Sequence, residues 1–350
     1  MIDFRYHLVS IVAVFLALAI GIVLGSTELQ GHTIDALNAA SNLLNSQLNA
    51  TRTQRNNYQT LNSAGEQYLQ TAEPKLLARL LDGQRVVLVI EPGAQGSVVS
   101  GIKQAVTDAG ATVSGQLTLQ PAFNDTTGAT QSSLSSINGS IASSDDTQMH
   151  AVANPQTADQ QQAAQLIATA ILEKTAGQSG LSGTQAQTLL TYYAQADYLS
   201  VSGNPAAPAG RATLAVLVTP QNAPSDGAND PANQVLLAIA QEFAAASAAT
   251  VVAGDTAGSA QSGSAMSVLR SSSVSGAVSS VDDADMTLGQ ITVVDALATQ
   301  LAGGKPNSYG ISGASAVSPN PLPSAAPSAT ATAQPHATPP GKGGKPVKNK

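Results

Sequence analysis

The stretch RVVLVIEPGAQGSVVSGIKQAVTDAGATVSGQLTL, residues 85 to 119, decides the fold. Val86 to Ile90 is an unbroken aliphatic run, mostly β-branched, so Arg85 to Ile90 predicts a buried strand. Pro92-Gly93 supplies a turn, and Ser97 to Ala109 places Val98, Ile102, Ala105 and Val106 at helical spacing. Gly110 ends that helix and Ala111 to Leu119 predicts a second strand. Two strands joined by one helix make a right-handed parallel βαβ unit.

The alternation continues outward. Helices are expected near 155–175, 184–196, 231–248 and 287–301, with strands at 212–218, 250–253 and 278–281. That order predicts an α/β class domain over residues 84 to 304, built on a parallel, doubly wound sheet. Residues 122 to 148, rich in Ser, Thr and Gly, are expected to form a loop or insertion.

Residues 27 to 83 read as a helical spacer or coiled coil. Thr27 to Glu73 contains no Pro, and Gly only at 31 and 65. Ile34, Leu37, Leu44, Leu48, Tyr58, Leu69 and Ala72 fit alternating three- and four-residue steps, but Ser41, Thr51, Arg55, Asn62 and Gly65 share the seam. A single amphipathic helix folded back on the domain is the alternative. Forty-seven helical residues would reach about 70 Å. Pro74 is expected to end or kink the helix.

Residues 1 to 26 read as a transmembrane anchor. Leu8 to Leu24 is broken only by Ser10 and Gly21, and as a helix it spans about 26 Å, close to one hydrocarbon core. Arg5 precedes the run, whereas Glu28 and Asp35 follow it. The positive-inside bias therefore puts the N-terminus in the cytoplasm and the bulk of the chain outside. A cleaved signal peptide is the competing reading, but Ala17-Leu18-Ala19 lies inside the run, where a cleavage site would not. Ala13, Ala17, Gly21 and Gly25 recur every fourth residue, giving a face of small side chains on which two helices can approach closely as a homodimer or higher oligomer. An Ala-rich chain also places small residues there without any such role.

Residues 305 to 350 carry nine of the 18 Pro, together with Ala, Ser and Thr, and end in Lys342, Lys345, Lys348 and Lys350. They are expected to be a disordered tail with a basic end. The net charge of -7 thus conceals -12 over residues 1 to 304, which argues against nucleic acid or anionic lipid as partner of the folded part. Zero Cys excludes disulfides, thiolate metal sites and Cys nucleophiles. Zero Trp and four Phe speak against a membrane β-barrel with its aromatic girdles.

No catalytic constellation emerges, and the chain is not expected to be an enzyme. The turn Glu91-Pro-Gly-Ala-Gln-Gly96-Ser97 lacks G-x-G-x-x-G and G-K-[ST], so Gly93 and Gly96 read as turn residues and Ser97 as the helix cap. Ser100-Gly-Ile-Lys103 matches S-x-x-K, but without K-T-G or S-D-N companions and inside a helix. Asp282-Asp283-Ala-Asp285 precedes a helix whose Thr287 and Gln290 have capping-box spacing. Three carboxylates without the rest of an EF-hand are a thin case for a hard cation.

The opening MIDFRYHLVSIVAVFLALAIGIVLG, residues 1 to 25, and the segment from Val278 through Val281-Asp-Asp-Ala-Asp285, Gly289-Gln290 and Ala296-Leu297 to Tyr309-Gly310 resemble the actinobacterial MctB family, the mycobacterial-type copper transport protein B group. The resemblance implies a single-span cell-membrane protein with an extracytoplasmic α/β domain and a role in copper transport or homeostasis. It also implies an alternative, since relatives are linked with cell division and wall-hydrolase control: a non-enzymatic scaffold recruiting an envelope or division partner. Copper is then expected as a transported ion and not as a bound cofactor. Cu(I) favours Cys and Met, Cu(II) favours His, and this chain offers Met only at 1, 149, 266 and 286 and His only at 7, 32, 150 and 336. Only Met149 and His150 are neighbours, and adjacent side chains diverge. Copper would be met by an assembly or a partner.

Overall fold

The computed structural model describes residues 4–145, 154–174, 181–222 and 226–324. The chain divides after Gln67 into two units. The first unit is helical and belongs to α1, Phe4–Leu77, which continues into the second unit. No break separates the expected anchor from the expected spacer. Phe4–Ser26 is long and apolar enough to cross a membrane, and none of it is buried by the chain itself. Beyond its first turn, the backbone of such a segment is bonded within the helix, which is what a hydrocarbon environment requires. Further along, Leu37, Leu44, Leu48 and Tyr58 are exposed on the same helix.

Pro74, expected to end or kink the helix, lies inside its last turn; α1 ends at Leu77. A proline removes only one intrahelical donor. The final turn is held instead by Leu77, which is fully buried with Leu81 against α2 (Gly96–Asp108) and α9 (Thr287–Leu301).

The second unit carries a seven-stranded sheet in the order β3-β2-β1-β4-β5-β6-β7. Its strands are β1 Arg85–Ile90, β2 Thr112–Leu119, β3 Leu199–Gly203, β4 Leu214–Val218, β5 Ala249–Ala253, β6 Ser279–Val281 and β7 Ser308–Tyr309. All neighbours are parallel except β2 and β3. The expected parallel, doubly wound sheet is present, made mixed only by that one antiparallel pair at its edge. Side chains alternate between faces. Val86, Leu88 and Ile90 pack with α2 and α9, whereas Val87 and Val89 face the other cluster. That opposite layer is built by α3 Gly128–Asp145, α4 Ala158–Ile171, α5 Gly183–Gln195, α6 Pro231–Ala246 and α8 Ala265–Ser271. The short α7, Thr256–Ser259, follows β5.

Three further expectations are corrected. Residues 122 to 148 are not a loop: after a 3-10 turn at Pro121–Asn124 they form α3, which buries Leu134 and Ile141. Asn138 lies between them and accepts a 2.6 Å bond from the Tyr193 hydroxyl. Those inward residues are at helical spacing inside a Ser-rich segment. The edge strand β3 was not expected either; its exposed Ser200 and Ser202 dilute the apolar alternation. Finally, the fold does not stop at 304. β7 pairs with β6, and Tyr309 is buried. The tail from 325 onward, with its basic end, lies outside the described residues.

One ion pair ties that last segment down. Arg270 donates to Asp282 Oδ2 at 2.6 Å, to the carbonyls of Ser312 and Tyr309 at 2.6 and 2.8 Å, and to Ser280 Oγ at 3.0 Å. Asp282, with no exposed side-chain surface, also accepts from Ile311 and Ser312 N–H at 2.7 and 2.9 Å. Gly310 has φ +122° and sits where any Cβ would collide with the Asp282 carboxylate. Removing one partner of a buried pair strands the other charge, so Arg270→Met is expected to lower unfolding stability by about 3–5 kcal/mol. An unchanged urea midpoint for that variant would refute the pair's role as the clamp.

Candidate functional site

In open α/β sheets the ligand crevice lies beyond the carboxyl ends of the strands, where the strand order reverses. Here the chain moves from β1 to β2 on one side and from β4 to β7 on the other, so the reversal lies between β1 and β4. That crevice is closed by its own loops. Glu91 N–H donates to Val218 O at 3.0 Å and Gln221 N–H to Gly93 O at 3.1 Å. Gly93 adopts φ +87° as its turn requires, and a Cβ there would lie 3.5 Å from that of Pro220. Ser97 does not cap the helix: α2 starts one residue earlier, at Gly96, with Gln95 as N-cap and no side-chain cap bond. Ser97 Oγ instead contacts Gln95 Oε1 at 3.3 Å. Ser100 returns its hydroxyl to the Ser97 carbonyl at 3.0 Å, as an exposed helical serine does, and no nucleophile is formed.

Around this end of the sheet the structure gathers acids that the sequence shows only as scattered letters. Glu91 is 3% exposed; Asn124 donates to its Oε2 at 3.2 Å while Oε1 has no hydrogen-bond partner. Burial pushes its carboxyl up to about 7, against the smaller opposing effect of Asn124. Asp255 caps α7 through Gly258 N–H at 3.2 Å and receives Gln95 Nε2 at 3.4 Å; burial raises it as well. Asp285 accepts from the Thr256 N–H and hydroxyl at 2.7 and 2.8 Å. Asp283 is fully buried and neither oxygen has a partner. Burial first, and the neighbouring Asp282 charge second, push it up to about 6.

The expected capping box at Thr287 and Gln290 does not form. Met286 is the N-cap, and Gln290 Nε2 donates to the Ala284 carbonyl at 3.2 Å. At Gly289 the helix also packs on the Asp283 carbonyl so closely that no Cβ fits. The acidic loop thus splits into an ion-paired clamp, a cap for α7 and a buried acid. Among the described residues no group of three or more His, Cys, Asp or Glu is placed to hold a metal. Met266 is buried in the core and Met286 sits at the α9 cap, apart in role from the exposed His7. Met1, Met149, His150, His336 and the side chain of His32 lie outside the described residues.

The predicted self-association residues Ala13, Ala17, Gly21 and Gly25 are all exposed on α1, and nothing lies within 4 Å of a Cβ built on either glycine. Sequence reasoning missed the burial of Glu91 and Asp283. A signal existed for Glu91, which directly follows the apolar β1, but Asp283 stands two residues beyond the Ser-Ser-Val of β6, and burial at a strand end depends on the loops that fold over it.

Chemically, this arrangement holds protons. A carboxyl whose folded-state value exceeds its unfolded value keeps a proton that the unfolded chain has released, so stability falls as pH rises through that window. The window runs from 4.5 to about 7 for Glu91 and from 3.8 to about 6 for Asp283. Glu91→Gln and Asp283→Asn are each expected to stabilise the protein by about 1–3 kcal/mol above pH 7, with the gain vanishing below about pH 4. Urea unfolding across that range checks it; a gain independent of pH would show that the side chain does not titrate there.

With the geometry in place, the comparison with known proteins is direct. The chain is similar to the Copper transporter MctB of Mycobacterium tuberculosis strain H37Rv, 29% identical over 312 residues that cover 89% of this chain and 96% of the relative. The Copper transporter MctB of Mycobacterium leprae is 28% identical over 315 residues, again covering 89% and 96%. The family model described as "Copper transport outer membrane protein, MctB", a transport family of membrane proteins, matches residues 1–319. By that match, the chain belongs to the MctB family.

Proposed function

We propose that this protein serves copper transport or copper homeostasis at the cell membrane. In this reading Phe4–Ser26 spans the bilayer, the N-terminus is cytoplasmic and the sheet-bearing unit is extracytoplasmic. The observation that carries the reading is the likeness to MctB proteins over residues 1–319. The orientation is supported by Arg5 before the apolar run and by Glu28 and Asp35 after it. The sheet is open and packed with helices on both faces, so the apolar start of α1, and not a barrel, is the described element suited to crossing a membrane.

A single helix encloses no pore, and the described residues hold no metal cluster. Copper is therefore handled by an assembly of copies or by a partner. The face Ala13, Ala17, Gly21 and Gly25 is the proposed contact between spans. A second reading, a scaffold for an envelope or division partner, draws on Leu37, Leu44, Leu48 and Tyr58, which α1 leaves exposed.

Deleting the gene is expected to raise cell-associated copper and copper sensitivity several-fold. Unchanged copper together with misplaced septa would reject transport in favour of the scaffold. Replacing Gly21 and Gly25 by Ile is expected to cut signal in a span-association reporter by more than half; undiminished association would remove that face from the proposal.

A further inference from the structure

Apart from the strand ends, the second unit carries a cleft of ≈ 520 Å³ between α5 and the turn at 204–208 that follows β3. Its volume lies within the range of about 300–1,000 Å³ usual for small-molecule sites. We propose that this cleft binds a neutral oligosaccharide chain, independently of the copper reading.

The helix is built to present it. Ala186, Leu189, Leu190 and Tyr193 form the buried stripe of α5, while Gln187, Thr188, Tyr192 and Gln195 repeat at helical spacing on the stripe that lines the cleft. Across from them stand Asn204 and Pro208. The platform is fixed from both sides. Ser182 and Gln185 close a capping box at the start of α5, and the buried Arg211 donates to the Leu181 carbonyl at 2.5 Å and the Ala170 carbonyl at 3.0 Å. Gly183 has no room for a Cβ beside the Pro208 ring, so the turn sits directly against the helix.

The lining chemistry selects the ligand. Apart from the Tyr192 phenol, no ionisable side chain lines the cleft. Residues 84 to 304 carry a net charge of -11, which opposes an anion. The side chains of Gln187, Thr188, Gln195 and Asn204 and the Tyr192 hydroxyl are exposed and make no hydrogen bond among the described residues, so amide and hydroxyl groups line the cleft open to a ligand in exchange for water. Tyr192 is 51% exposed beside them, in contrast to the buried Tyr193 and Tyr198. A flat aromatic face flanked by neutral donors and acceptors matches a sugar ring, which offers an apolar C–H face and a rim of hydroxyls. A peptide would need a deeper apolar pocket for a side chain, and beside the Tyr192 ring the only wholly apolar side chains lining the cleft are those of Ala207 and Pro208.

The test uses the full chain in nanodiscs of zwitterionic lipid, free of glycoside detergent. Chitotetraose and maltotetraose are the neutral probes, tetragalacturonate the anionic one and a neutral Ala-Ser-Thr-Pro peptide the competitor class. Binding is read by saturation-transfer NMR. At least one neutral sugar is expected to bind with a millimolar or tighter dissociation constant. Tyr192→Ala is expected to weaken it at least tenfold, and Tyr192→Phe, which keeps the ring, by less than about threefold. Tyr192 is half exposed, so an unchanged melting temperature separates lost binding from lost folding. No response to either neutral sugar at about 10 mM, a response indifferent to Tyr192→Ala, equal binding of the galacturonate, or a Tyr192-dependent response to the peptide alone would each overturn the proposal. None of these outcomes bears on copper, which is read from the deletion strain.

Discussion

Val86 to Ile90 and Leu214 to Val218 lie side by side in parallel register, and no residue among them is more than 7% exposed. A chain with 3% aromatic residues and no Cys has few large side chains with which to fill space, so it relies on aliphatic strands covered on both faces. That constraint reaches every other part of the folded unit. It demands helices on both sides of the sheet, and it pushes polar chemistry to the strand ends. There Glu91, Asp255, Asp282 and Asp283 sit partly or wholly out of water. Only Asp282 finds a cation, Arg270, and the others accept raised proton affinity instead.

The same constraint explains what was legible. Buried parallel strands read as continuous apolar runs, so β1, β4 and β5 were plain, and long amphipathic or apolar helices such as α2, α6 and α9 followed from spacing. What failed was local chemistry resolved only by tertiary contact. Residues 128 to 145 look like a linker because Ser and Gly dominate, yet Leu134, Asn138 and Ile141 turn one face inward. β7 is two residues long, too short for any periodic signal, and Arg270 bonds the Tyr309 carbonyl within it and the Ser312 carbonyl just beyond it. Thr287 had the right letters for a cap, but the helix starts one residue earlier, with Met286 at the N-cap and the Gln290 amide turned to the Ala284 carbonyl.

The two units solve opposite solvation problems. Phe4–Ser26 leaves its apolar side chains uncovered by the chain and meets its backbone needs internally, a combination stable only with external apolar cover. Among the described residues the second unit instead buries most of its aliphatic side chains in two layers on either side of the sheet. Between them, α1 shows no cap, glycine turn or proline stop before Pro74, so one hydrogen-bonded ladder serves both environments. The change from one to the other is written purely in side chains.

A metal-related role for a chain with so few soft ligands follows from the same economy of side chains. A preformed copper site needs several Cys, Met or His donors from different elements converging at one point, and those donors are reactive when exposed. Met266, on α8, is committed to the apolar layer, and among the described residues that layer holds no second sulfur or imidazole. Among the described residues no such convergence of donors is built within one protomer, and the proposed handling of copper by assembled copies or by a partner therefore draws on the span face and the exposed length of α1.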